Sequence, residues 1–131
     1  MDEPQYPFLE KALESLAGAE SEFANERYNN TANRAYYAVF HAAIAALQGA
    51  GIRPVGGEWG HEFVPGQFDG LLINRRHIYP TELRGILSRN FGVRLDADYR
   101  ENPVTQTEAG RSLRRSRTFV RAVQSATSES R

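Results

Sequence analysis

The sequence predicts an all-α protein, an antiparallel helical bundle of about five helices in one domain. Two observations support this: apolar residues recur at three- and four-residue steps along most of the 131-residue chain, and no segment alternates apolar and polar residues as a strand would. The composition, 40% hydrophobic and 24% charged, is typical of a globular domain. We expect the domain over residues 7–123, with disordered ends at residues 1–6 and 124–131.

The first two predicted helices are amphipathic. The first runs from about residue 7 to residue 27, with Pro7 at a favoured first position and an apolar stripe of Phe8, Leu9, Ala12, Leu13, Leu16 and Phe23. The second runs from about residue 31 to residue 48 in an alanine-rich segment and ends before Gly49. Its predicted core face consists of Tyr36, Val39, Phe40, Ala43 and Leu47.

A glycine-rich loop over residues 51–61 separates these helices from two more. A short helix is expected over residues 62–76, interrupted near Pro65 and Gly66. A fourth helix is expected from about Pro80 to Tyr99, with a buried stripe of Leu83, Ile86, Leu87, Phe91 and Leu95.

The last helix has the clearest start signal. Thr105 and Glu108 form a capping box, in which each side chain accepts the other's backbone N–H, and Val104 with Ala109 is expected to form a hydrophobic staple. The predicted buried face of this helix consists of Ala109, Leu113, Ser116, Val120 and Val123.

Charge is distributed unevenly, although the formal net charge is zero. Residues 1–30 carry a net charge of −5 and residues 71–131 a net charge of +6. This asymmetry indicates a nucleic-acid face or an acidic partner, or alternatively a first helix that packs beside the last.

Several classes of protein are excluded by what the sequence lacks. There are no cysteines, which excludes disulfides, cysteine-ligated metals and a cysteine nucleophile. No window of 18 uninterrupted apolar residues is present, and the start of the chain lacks the pattern of a signal peptide. We therefore expect a cytoplasmic protein without membrane association.

A polar stripe lies opposite the core face of the second helix. It consists of Arg34, Tyr37, Ala38, His41, Ala45 and Gln48. Arg34 and His41 differ by about 20° in direction and by about 10 Å along the helix axis. Because the alanines allow another helix to approach closely, the stripe is interpreted as a half-buried contact surface, either within the chain or across a dimer. Taken alone, His41 would be a satisfied interface histidine and Arg34 the partner of an acid on the first helix.

The segment from Arg34 to His41, Arg-Ala-Tyr-Tyr-Ala-Val-Phe-His, resembles the core motif of the HEPN family (higher eukaryotes and prokaryotes nucleotide-binding domains). Residues 83–99 resemble the Arg-x-x-Ala-Asp-Tyr segment of its small prokaryotic members, and residues 105–123 their terminal helix. Two departures are Ala35, where toxin members often have a polar residue, and Ala43, where many have the tyrosine of His-x-Tyr.

The resemblance implies a homodimer and a metal-independent endoribonuclease, as half of a toxin–antitoxin or defence pair whose antitoxin is a minimal nucleotidyltransferase. It implies that Arg34 and His41 are catalytic, and we add Tyr37, which lies between them. Asn30 and Gln48 are predicted to bind substrate at the two ends of the site. Histidine would exchange a proton with the RNA ribose and arginine would hold the phosphodiester, so no cofactor or metal is required. The alternative is a noncatalytic HEPN module that binds a nucleotidyltransferase-like partner or a nucleotide.

Two further groups of residues carry weaker signals. On the last helix, a set of arginines opposite the apolar face forms either a solvated surface or a weak nucleic-acid-binding surface: Arg111, Arg114, Arg115 and Arg121. Glu58 and His61 have the spacing of a carboxylate–histidine metal site, but this motif occurs once and in a loop. We therefore predict no metal site and expect His61 to order its loop or to cap the following helix.

Overall fold

The structure, a computed structural model, describes residues 6–129. Five α-helices and no strand occur in this range, which confirms the all-α prediction: α1 (Pro7–Ala24), α2 (Tyr28–Gly49), α3 (Phe63–Gln67), α4 (Ile86–Tyr99) and α5 (Gln106–Glu129). The predicted disordered residues 1–5 and 130–131 lie outside the described residues. No helix in the described range is both long and apolar enough to cross a membrane.

The centre of the bundle is α2, which packs against all four other α-helices. Between residues 31 and 47, 13 residues are buried, and they include the whole predicted core face. Many of the buried side chains are alanines, which let the neighbouring helix backbones approach closely. A helix buried on most of its circumference has few positions left for function.

The first helix lies antiparallel along α2 and ends at Ala24, three residues before the predicted end. Asn25 follows as the cap, and Glu26 adopts a left-handed φ of 61°, so the chain leaves the helix here. α1 also contacts α5, where Arg117 and Glu20 form an ion pair of 3.0 Å. This confirms that the acidic first helix packs beside the basic last helix.

The third helix is continuous, where an interruption near Pro65 and Gly66 was predicted. Pro65 lies in the first turn of α3, where its missing N–H removes no helical bond. After Gln67 the chain continues as a π-helical segment, Phe68–Arg75. This segment buries Phe68, Leu72 and Ile73, so the change of pitch serves core packing.

The fourth helix begins at Ile86 and not near Pro80. A 3₁₀ turn over Thr81–Leu83 comes first, and Gly85 then adopts a left-handed φ of 80°. The Gly85 N–H donates to Oδ2 of Asp69 at 3.0 Å. Gly85, in a conformation that glycine adopts readily, therefore separates the 3₁₀ turn from α4, where the sequence pattern predicted one continuous helix.

The predicted buried stripe of α4 is right in its first half only. Leu83, Ile86 and Leu87 are buried, but Leu95 is 36% exposed. The residue buried instead is Asn90, whose Nδ2 donates to the backbone oxygen of Ser112 on α5 at 3.2 Å. The side of α4 that faces α5 is therefore the side that carries Asn90, and Leu95 does not lie on that side.

The last helix begins as predicted and ends later. The Glu108 N–H donates to Oγ1 of Thr105 at 3.1 Å, and the Thr105 N–H donates to Oε1 of Glu108 at 3.0 Å, which confirms the capping box. The whole predicted face is buried. The disordered tail predicted from residue 124 is wrong for residues 124–129, which are helical, because Ala126 packs on the core and Thr127 is buried.

Candidate functional site

Between residues 31 and 47, only four residues of α2 are not buried: Asn33, Arg34, Tyr37 and His41. The last three are the predicted catalytic residues. Ala38 and Ala45 from the same stripe are completely buried. Since His41 and Arg34 both contact α1, the stripe makes a helix contact within the chain, one of the two contacts that the sequence left open, and its uncovered residues remain accessible to a second copy.

Arg34 reaches across α1 into a groove of about 380 Å³. Its side chain passes Gly18, where an added Cβ would lie 3.7 Å from Cδ of the arginine. The other residues lining the groove are Glu14, Ser15, Ser21 and Glu22 of α1. Among the described residues none forms a hydrogen bond or ion pair with the Arg34 guanidinium, so the expected partner acid is not found. The guanidinium therefore has no direct ion pair, although two glutamates, Glu14 and Glu22, line the same groove.

His41 is half-buried in an aromatic setting. Its ring lies 5.7 Å from Phe8 of α1, 5.8 Å from Tyr37 and 5.9 Å from Phe40. Its Nδ1 is buried and has no hydrogen-bond partner, whereas Nε2 is not closed off in this way. Burial, with a smaller contribution from the Lys11 ammonium, lowers the pKa of His41 below its usual 6.5. The imidazole is therefore neutral at pH 7 and able to accept a proton.

Tyr37 connects His41 to a residue of α4 that was not predicted from the sequence. The guanidinium of Arg94 lies 5.3 Å from the Tyr37 ring centre and also stacks over Tyr36 and Phe91. Its Nε is buried without a hydrogen-bond partner, and its ion pair with Asp98 is long, at 3.6 Å. The signal was available, because Arg94 is the first residue of the Arg-x-x-Ala-Asp-Tyr segment.

His61 belongs to the same aromatic cluster. Its Nδ1 shares a hydrogen bond of 2.5 Å with the Tyr36 hydroxyl, and its ring stacks on Phe40 at 4.8 Å and on Phe91 at 5.6 Å. Burial lowers the pKa of His61, and so does the nearby Arg94 charge. His61 thus fastens the glycine-rich loop to α2, as expected. No group of residues in the range 6–129 has the arrangement of a metal site.

Asn30 and Gln48 lie near opposite ends of α2. They are 18 residues apart, which corresponds to about 27 Å along the axis. Asn30 is exposed, and its Nδ2 donates to Oε1 of Glu22 at 3.4 Å. Gln48 is half-buried, and none of the described side chains hydrogen-bonds to it. One phosphate group cannot contact both residues, so a role for both requires an extended ligand.

The arginines of α5 separate into two groups. Arg111 and Arg115 line a groove against α4, together with Arg89. Arg114 lies toward α1, with Nη1 3.6 Å from the position of a Cβ at Gly110, and Arg121 is exposed. The four residues predicted from the sequence thus do not form one surface.

The helical bundle and the Arg-x6-His spacing at the few uncovered positions of its central helix agree with the resemblance to HEPN domains. The family profile described as "HEPN domain" matches residues 7–126, and the chain belongs to this family. Among curated proteins, the chain is similar to the protein named "Putative toxin MJ0605" from Methanocaldococcus jannaschii. The two are 31% identical over 122 residues, which cover 92% of this chain and 87% of that protein.

Proposed function

We propose that the chain is a metal-independent endoribonuclease and acts as the toxin of a toxin–antitoxin or defence pair. The observation that supports this most strongly is the state of His41, which is neutral and lacks any hydrogen-bond partner among the described residues. A buried polar atom left without a partner costs about 1–3 kcal/mol. The buried Nδ1 is closed to a substrate, so the proposed proton transfer uses Nε2, the ring nitrogen that the fold leaves accessible.

In the proposed reaction, neutral His41 accepts the proton of a ribose 2′-hydroxyl. The 2′-oxygen then attacks the adjacent phosphorus, the bond from phosphorus to the 5′-oxygen breaks, and that oxygen takes up a proton from water, while His41 later releases its proton to solvent. The products carry a 2′,3′-cyclic phosphate and a 5′-hydroxyl. Arg34 holds the phosphodiester and stabilises the charge that develops on it, and the Tyr37 hydroxyl orients the phosphate or the imidazole.

The active form that we propose is a two-fold homodimer. Within one chain, Arg34 lies at the level of Gly18 and His41 at the level of Phe8, on opposite parts of the contact with α1. Arg34 also turns into a groove that His41 does not line. An isologous pairing of two α2 helices would place Arg34 of one copy beside His41 of the other.

A cleavage assay on mixed RNAs in the presence of chelator tests the activity. We expect wild type to cleave and His41→Ala or Arg34→Ala to lose about 100-fold or more in rate. The matched controls are His77→Asn and Arg53→Ala, both exposed positions outside the Arg34–His41 stripe, and these should cleave normally. Equal cleavage by His41→Ala and wild type would show that the site is wrong.

Mixing two inactive variants tests whether the site is shared between copies. In a heterodimer of Arg34→Ala with His41→Ala, a shared site retains one intact Arg34–His41 pair, whereas sites within single chains retain none. We expect the mixture to recover activity and each variant alone to remain inactive. No recovery, with heterodimers verified by differently tagged chains, would place the site within one chain.

The proposed partner is a minimal nucleotidyltransferase antitoxin. The name of the relative, a putative toxin, supports a toxin–antitoxin pair but does not identify the antitoxin. Co-expression with a nucleotidyltransferase encoded beside this chain should yield a complex and relieve growth arrest. If the chain binds that protein but does not cleave RNA, the noncatalytic module is the correct function.

A further inference from the structure

A groove lined by arginines lies between α4 and α5. Its cavity of about 230 Å³ is lined by Arg89 and Val93 from α4 and by Glu108, Arg111 and Arg115 from α5. This arginine groove shares no lining residue with the groove at Arg34 or with the aromatic cluster around His41. It is therefore a second groove of the molecule, which the proposed cleavage reaction does not use.

The central guanidinium of the groove is held in place by neutral groups. Arg115 Nε donates to Oδ1 of Asn90 at 2.8 Å, and Nη2 donates to Oγ of Ser112 at 3.3 Å. Asn90 is itself completely buried and bonded to the Ser112 backbone. Because this network fixes the guanidinium without neutralising it, the positive charge is presented in a defined orientation.

The charge of the groove is not balanced by carboxylates. Arg89 donates to the backbone oxygen of Arg84, and within residues 6–129 none of Arg89, Arg111 and Arg115 forms an ion pair. Glu108 lies in the lining, but its carboxylate accepts from Thr105 and Arg100. Burial lowers the pKa of Arg115, and the neighbouring guanidiniums lower it further. Like charges held close together repel one another, so an anion bound between these arginines would stabilise the cluster.

We propose that the arginine groove binds a phosphate of the RNA backbone, remote from the site of cleavage. The planar arginine fork matches a phosphate with two parallel hydrogen bonds, and three arginine side chains lining one cavity match a polyanion better than a single small ion. The inference takes RNA as the ligand from the proposed function, but binding in the groove does not require cleavage.

The test measures binding of a labelled single-stranded RNA to the His41→Ala protein, in which cleavage is removed. Adding Arg89→Gln and Arg111→Gln should weaken binding about 10-fold or more. Each phosphate that is no longer neutralised should reduce the logarithmic slope of the salt dependence by about 0.7. The control pair, Arg53→Gln with Arg75→Gln, removes the same charge from exposed positions and should have a much smaller effect. Equal weakening by both pairs would overturn the proposal, since only net charge would then matter.

A second variant separates binding from folding. Arg111→Glu should weaken RNA binding more than Arg111→Gln does while the melting temperature stays the same or rises, because the added carboxylate neutralises the cluster. Unchanged RNA binding in Arg111→Glu overturns the proposal. If inorganic phosphate stabilises the protein but the groove variants bind RNA normally, the groove is a small-anion site and the proposal is wrong. Failure of the proposed function shows separately, as absence of cleavage by wild type.

Discussion

The protonation state of His41 depends on the side chains that surround it in the fold. Aromatic rings and α1 enclose it on one side, and no described residue satisfies its ring nitrogens. The same enclosure lowers its pKa, because burial disfavours the imidazolium form. A histidine kept neutral in this way is suited to act as a base at neutral pH.

The pH dependence of cleavage should follow from this. If His41 must be neutral, the rate should be constant near pH 7 and fall only when the pH drops below the usual histidine value of 6.5. Lys11 disfavours the imidazolium, so Lys11→Gln should raise the pKa of His41 and move the acidic limb to higher pH. A pH–rate profile measures both effects.

Arg27→Gln is the control for this measurement, since Arg27 follows the other end of α1 and pairs with Glu22. Its acidic limb should coincide with that of wild type. An acidic limb that stays in place in Lys11→Gln, or moves to lower pH, would contradict the assignment of His41 as the base.

At the scale of elements, α5 depends on its capping box for a defined start. Thr105 and Glu108 satisfy two N–H groups that no helical oxygen can reach. We expect Thr105→Ala to lower the free energy of unfolding by about 1 kcal/mol, because the Glu108 N–H loses its acceptor. Denaturant unfolding measures this. Thr107→Ala, at an exposed position in the first turn, should change stability much less, and equal losses would show that the box does not stabilise the fold.

The elements that the sequence predicted well are those whose signals are local. The capping box, the core face of α2 and the start of α1 at Pro7 depend on neighbouring residues in the chain. The start of α4 was missed because Gly85 adopts its left-handed conformation against Asp69, 16 residues away. Helical spacing alone does not report such contacts.

The candidate site was predictable to a similar extent. Arg34, Tyr37 and His41 lie on one helix, so their spacing and resemblance to a family motif were sufficient to select them. Arg94 and His61 reach the same cluster from α4 and from the glycine-rich loop. The position of these two side chains depends on how α4 and the loop pack against α2, and residue spacing in the sequence does not predict that packing.

At the scale of the whole molecule, the chain has an acidic edge at α1 and a basic edge at α5, and it covers most of the polar stripe of α2 itself. Ala38, which belongs to the stripe predicted as a contact surface, is completely buried within the chain. A second copy can therefore reach only Arg34, Tyr37 and His41 along the central part of that stripe, in addition to residues of α1 and α4. Any interface at the stripe must include the neighbouring helices.

We expect sedimentation at tens of micromolar to give twice the 14.7 kDa mass of the chain. Replacing Tyr37 with Asp should favour the monomer, because a carboxylate would replace an aromatic ring at the centre of the interface. Replacing exposed Val55, in the loop after α2, with Asp should leave the mass unchanged. A monomeric wild type would contradict the proposed dimer.

The crowding of α2 also limits how such a protein can diversify. Thirteen positions between residues 31 and 47 are buried, and each accepts only side chains of a similar volume. Most substitutions there would therefore disturb the packing of the core. Only four positions in that stretch are not buried, and three of them carry the proposed chemistry. Relatives whose activity has disappeared or changed should therefore differ from active ones at these few sites, on an otherwise similar helix.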